Sequence, residues 1–188
     1  MTRNWSYEDL PRGSTIRDVA ESVDPRVEAL LQRYFEHFAS PVLPVPVDSI
    51  AVDLLGLTVD ENDELDVSGM LVPSEHQIWL NGREARQSSG RRRFTLAHEL
   101  GHWICQYEQG HVEPRYCRAD EIGVGAGRKL EREANTFAAQ LLMPEPLLRR
   151  EAVELKLNLH ALARRFEVSL PAMKVRLQQL SLLPAYMQ

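Results

Sequence analysis

Residues 94–102 read FTLAHELGH, and this stretch constrains the chain more than any other. Four residues of helix advance by roughly 400°, so His98 and His102 share one face about one turn apart. Leu96, Ala97, Leu100, Trp103 and Ile104 surround them, which predicts a buried helix. Buried imidazoles need partners, and two at this spacing can both reach one Zn²⁺ at about 2.0–2.1 Å. Glu99 stands roughly 100° round from His98. It can overhang the cavity without ligating, as a general base for water activated by the metal. The competing reading is a buried helix with two hydrogen-bonded histidines; the Glu between them favours metal. Gly101 interrupts the helix where glycine costs about 1 kcal/mol relative to alanine, which predicts close approach of another element.

The third ligand sets the subclass. An extended motif would continue with Gly and His three and six residues beyond His102, but those positions hold Cys105 and Glu108. A carboxylate from a second helix is the alternative, and KLEREANTFAAQLLMP at 129–144 fits. Ala134, Phe137, Ala138, Leu141 and Leu142 form an apolar stripe able to pack on the first helix. Glu131, on the adjacent face, is the favoured ligand. Glu133, roughly 200° from it, is the alternative and is expected to face solvent. Asn135 lies one turn beyond Glu131, where it can hydrogen-bond a liganding histidine. One Zn²⁺ per chain follows, with a fourth position open, as a catalytic zinc requires.

RFTLAHELGH, followed some thirty residues later by EREANTFAAQLLMP, resembles the ImmA/IrrE family of metallopeptidases. HQIWLN before the first motif and LARRFEVSLPAMKVRLQQL near the C-terminus also resemble that family's layout, so the resemblance covers residues 45–182. The resemblance implies a gluzincin-like pattern, H-E-x-x-H plus Glu-x-x-x-Asp, whose second glutamate, the metal ligand, matches Glu131. Asn135 replaces the aspartate; it can accept a hydrogen bond from an imidazole but brings no charge. The resemblance further implies a zinc-dependent, site-specific endopeptidase that cleaves a helix-turn-helix (Xre-type) repressor and so derepresses genes. The alternative is a zinc-containing regulatory or antitoxin-type protein that grips such a repressor without cutting it.

The rest of the chain frames this site. A chain of 188 residues can bury one sizeable core. Its net charge of −5 argues against direct nucleic-acid binding, which usually needs a basic surface. The N-terminus has no signal-peptide core, and nothing approaches the roughly 20 apolar residues of a membrane span. The expectation is a cytoplasmic protein, whose two cysteines, Cys105 and Cys117, stay reduced.

Helices are expected from about Asp18 or Asp24 to Phe38, at Val47–Leu55, and at 89–107, 128–143, 145–157, 158–166 and 170–180. Short alternating runs in LTVDENDEL, VSGMLVP and HQIWLN predict a small antiparallel sheet. The fold class is α+β, the sheet packed on a mainly helical, zincin-like body with two zinc-ligand helices. The expected domains are an N-terminal extension and helix at 1–45, a metallopeptidase core at 46–157, and a helix-turn-helix-like hairpin at 158–188 packed on the core.

Secondary features have plainer readings. Arg91, Arg92 and Arg93 oppose the dipole at a helix start; they either pair with DENDELD at 60–66 or dock an acidic substrate, and pairing is favoured. His76–Asn81 can be an edge strand that binds extended substrate. The long loop 108–126 carries His111, Arg115 and Tyr116, candidate oxyanion or substrate contacts. Cys105 is read as a packed thiol.

Overall fold

A computed structural model describes residues 23–38, 42–107, 115–117 and 126–183. The expectations for residues 1–15 and for His111 lie outside these residues. The chain divides into two compact units, one of residues 46–138 and the other of 1–45 with 139–188.

The first unit holds the sheet and the histidine helix. It opens with a short helix, α2 (Val47–Ser49), which runs into a π-helical turn at Ile50–Leu54. Gly56, at φ +66°, ends it, a left-handed position that glycine adopts at no steric cost. Strands β1 (Thr58–Asn62), β2 (Gly69–Val72), β3 (Gln77–Asn81) and β4 (Arg115–Cys117) form one sheet in the order β1-β3-β2-β4. The sheet is mixed rather than antiparallel throughout: β1 runs parallel to β3, while β2 is antiparallel to both β3 and β4. Side-chain alternation is the same for either direction, so the sequence pattern could not distinguish them. Strand β3 therefore lies inside the sheet, not at the edge expected for His76–Asn81. The described edges are β1 and β4.

Gly69, Leu71, Ile78 and Leu80 are buried on alternate positions of β2 and β3, and helix α4 (Ser89–His102) packs across these two strands. Before it comes a helical segment absent from the expectations, α3 (Gly82–Gln87). Asn81 caps α3 by accepting the backbone N–H groups of Arg83 and Glu84 at 3.0 and 3.1 Å, and Ser88 caps α4 through Arg91 N–H at 3.2 Å. Each such cap contributes about 1 kcal/mol. The arginines at the start of α4 have largely structural roles. Arg92 bridges Glu61 at 2.7 Å and Asp48 at 2.8 Å, and Arg91 pairs with Glu84 at 2.9 Å. Arg93 is buried. The Arg92–Glu61 pair engages the acidic run at 60–66, and Arg86 of α3 pairs with Asp63 of the same run at 2.7 Å.

The second unit contains α1 (Pro25–Phe38), the end of α5 (Ala126–Leu142), α6 (Glu145–Glu154), α7 (Leu159–Phe166) and α8 (Leu170–Gln179). Val27, Leu30, Leu31 and Tyr34 of α1 are buried, as their spacing predicts. Asp24 N–H donates to Gln140 Oε1 at 2.8 Å, tying the start of α1 to α5. Helices α7 and α8 form the expected hairpin, and Ser169 caps α8 through Ala172 N–H at 3.2 Å. Leu162, Phe166, Met173, Leu177 and Leu180 are buried, and Val175 is half exposed. Among the described residues no helix is long and apolar enough to cross a membrane.

Candidate metal centre

Helix α4 is enclosed in its C-terminal half, where every residue from Leu96 to His102 is buried. That enclosure fixes the two histidine rings. His98 and His102 meet edge to face, at 84° and 4.6 Å between centroids. Their Nε2 atoms point to a common centre, 3.0 Å apart.

Helix α5 brings the carboxylate. Glu131 places Oε2 at 3.2 Å from His98 Nε2 and Oε1 at 3.3 Å from His102 Nε2. The close approach that Gly101 foretells is made here. A Cβ on Gly101 would stand 3.0 Å from Ala134 Cα and 3.1 Å from its carbonyl oxygen. The two helices can therefore meet backbone to backbone, which lets Glu131, one turn before Ala134, reach the histidines. Glu133 is half-buried and does not join this cluster.

The donor set fits a metal. Atoms about 2.0–2.1 Å from a tetrahedral zinc stand roughly 3.3 Å from one another. The three distances here, 3.0, 3.2 and 3.3 Å, lie close to that spacing. Two imidazoles and one carboxylate form a donor set suited to a divalent cation. Electrostatics agree. Burial raises the pKa of Glu131, but hydrogen bonds to His102 and His98 outweigh it and hold the carboxyl well below the usual range. Glu131 is thus an anion. Burial works against charge on His98, yet the Glu131 hydrogen bond and the charges of Glu99 and Glu131 raise its pKa above the ordinary imidazole value. A site that draws a proton onto a buried histidine is one that favours positive charge.

Neighbouring groups orient the rings. Asn135 Oδ1 lies 3.0 Å from His98 Nδ1, so it accepts the Nδ1 proton and turns the lone pair of a neutral His98 towards the cluster. This is the role the sequence suggested for Asn135, without the charge of an aspartate. Gln106 lies 2.9 Å from His102 Nδ1, a contact the sequence reading missed. The same four-residue arithmetic that joins His98 to His102 would have found it, since Gln106 is the polar residue one turn further on. Cys105, the residue the spacing drew attention to instead, is buried and is not one of the three donors.

Glu99 is fully buried. Strand β2 passes directly over it: a Cβ on Gly69 would fall 2.7 Å from Glu99 Oε1 and 2.6 Å from Thr95 Cγ2. A bare backbone at residue 69 gives this carboxylate its room, and no sequence signal marked it. Gly69 pairs in register with Cys117 of β4, so Arg115 and Tyr116 belong to the strand beside the one that covers Glu99. The sequence reading placed these residues in a loop; three residues in a polar stretch carry too little pattern to signal a strand.

The comparisons with known proteins meet this geometry. The family model described as the IrrE N-terminal-like domain, peptidase M78, matches residues 61–178. No curated protein matches the sequence significantly. Among solved structures, a Mycobacterium tuberculosis transcriptional regulator is similar in fold, with a TM-score of 0.61 at 20% identity. The match covers 88% of this chain and 50% of that one, so the chain spans about half the length of this structural relative. With the family model spanning both the histidine helix and the helix of Glu131, the chain belongs to the IrrE N-terminal-like, peptidase M78 family.

Proposed function

We propose that this protein is a zinc-dependent endopeptidase. The observation that carries the reading is the converging triad His98, His102 and Glu131, its donor atoms 3.0–3.3 Å apart, with the fully buried Glu99 carried on the same helix. His98 and His102 would hold the ion through Nε2, and Glu131 through its carboxylate. Zinc would supply Lewis acidity, polarising a peptide carbonyl and lowering the pKa of the attacking water towards about 7.

The protein's own residues do the rest. Glu99 accepts the proton that water gives up as its oxygen bonds to the carbonyl carbon. It then delivers that proton to the amide nitrogen as the C–N bond breaks. Glu99 is fully buried, so it is held in place on the helix that carries both histidines. Asn135 keeps the His98 lone pair on the cluster. Strand β4, an edge among the described residues, offers backbone groups to a substrate in extended form, in place of the interior β3.

The substrate follows from the family resemblance: a small DNA-binding repressor of the helix-turn-helix class, whose cleavage would release its genes. The test compares wild type with Glu99→Gln for zinc content and for cleavage of a helix-turn-helix repressor. Retained zinc with lost cleavage supports the peptidase. A wild type that holds zinc and binds the repressor, but never cuts it, would mean that the protein acts by gripping its partner.

A further inference from the structure

We infer that Gln106 is the positioning residue of His102, and that its neutral amide serves the metal-free and the metal-loaded centre in turn. The inference rests on the zinc reading above. It starts from the place of Gln106 in the chain. Immediately after His102 the helix widens into a π-helical turn at Trp103–Tyr107, a feature often found at functional sites. That turn carries Gln106 into the interior, where only 4% of it is exposed. Its amide stands 2.9 Å from His102 Nδ1.

The tautomer of His102 decides what this contact does. Nε2 faces the cluster, 3.3 Å from Glu131 Oε1 and 3.0 Å from His98 Nε2. Where Nε2 carries the proton, it donates to Glu131, Nδ1 is bare, and Gln106 Nε2, 2.9 Å away, can donate to Nδ1. With an ion present, Nε2 must offer its lone pair, so the proton has to sit on Nδ1. Half a turn of the Gln106 amide then places Oε1 where Nε2 stood, and it accepts Nδ1–H. Amide oxygen and nitrogen are nearly the same size, so the exchange needs no new space. A carboxylate could only accept. Gln106 thus supports both states, where a glutamate would favour the loaded one. At His98 an amide also meets Nδ1, but through its oxygen: Asn135 Oδ1 stands 3.0 Å away. Each histidine of the centre is therefore held by an uncharged amide.

The test uses the full chain as wild type, Gln106→Leu and Gln106→Glu. Zinc affinity is read by competition with a chromophoric chelator, and the His102 tautomer by long-range ¹H–¹⁵N spectra of the zinc-loaded protein. Gln106→Leu should weaken zinc by about 10–100-fold, the usual effect of losing such a partner. Gln106→Glu should bind at least as tightly as wild type, and loaded wild type should carry its proton on Nδ1. Equal affinity for Gln106→Leu and wild type overturns the inference, as does a His102 without a proton on Nδ1. Should Gln106→Leu fail to fold, a tenfold loss of affinity in Gln106→Glu overturns it equally. A wild type that takes up no zinc overturns the metal reading as well, whereas the other failures leave that reading standing.

Discussion

The carboxylate of Glu99 occupies the space that a side chain at residue 69 would need: a Cβ on Gly69 would lie 2.7 Å from Glu99 Oε1. Gly69→Ala therefore presses on the proposed base and on the stiff, β-branched Thr95, but not on the three donors. Overpacking of this kind costs about 1–3 kcal/mol. We expect Gly69→Ala to retain zinc, melt at a lower temperature and lose at least about tenfold in cleavage, a loss of the size general base catalysis supplies. Zinc analysis beside a cleavage assay checks this; unchanged cleavage would show that Glu99 does not depend on the gap.

Gly101 makes the opposite kind of prediction to an ordinary helical glycine. In an exposed helix Gly→Ala gains about 1 kcal/mol. Here the added Cβ meets Ala134 Cα at 3.0 Å and Ala134 O at 3.1 Å, and a helix backbone cannot step aside as a side chain can. Gly101→Ala should lower stability in urea unfolding and also weaken zinc, because it pushes the helix of Glu131 away from the histidines. Increased stability would mean that the helices separate without strain.

The His98–His102–Glu131 cluster was legible because its geometry follows helical periodicity. The four-residue spacing of His98 and His102, the glycine at 101 and the stripe through Ala134 and Phe137 each constrain geometry locally. What the sequence hid was decided by other segments. Strands β2 and β3 alternate as expected, yet nothing in that alternation says that β1 pairs with β3 in parallel. Strand β4 has three residues, too few for a pattern. Gly69 shows its purpose only once Glu99 lies beneath it. Gln106 lies at the next four-residue step after His102, but the π-helical turn that carries it inward has no marker in the sequence.

Glu131 and Glu133 separate by experiment. Glu131→Gln removes the anion from the cluster and leaves two neutral imidazoles. Its zinc affinity should fall by more than the about 10–100-fold typical of an outer partner, since a direct donor is lost. Glu133→Gln, outside the cluster, should bind zinc as wild type does. Competition titrations with a chelator decide between them, and the reverse result would move the third ligand to Glu133.

A final prediction concerns acid. Glu151 is buried and pairs with Arg150 at 2.8 Å and Arg165 at 3.1 Å. Burial raises its pKa, but the hydrogen bonds from the two guanidinium groups outweigh that and lower it below the ordinary glutamate value. A folded pKa below the unfolded one means that the unfolded chain binds the proton more readily. The stabilisation is then fully present above the unfolded value, about 4.3, and is lost as pH falls through the lowered folded value. Both arginines are partly exposed, at 32% and 48%, so screening keeps the contribution near 1 kcal/mol or less. Thermal melts of wild type and Glu151→Gln should differ by a few degrees at pH 7, and the gap should close as pH drops below about 4.3. A gap that persists undiminished at low pH would mean that Glu151 stabilises the helices through packing rather than charge.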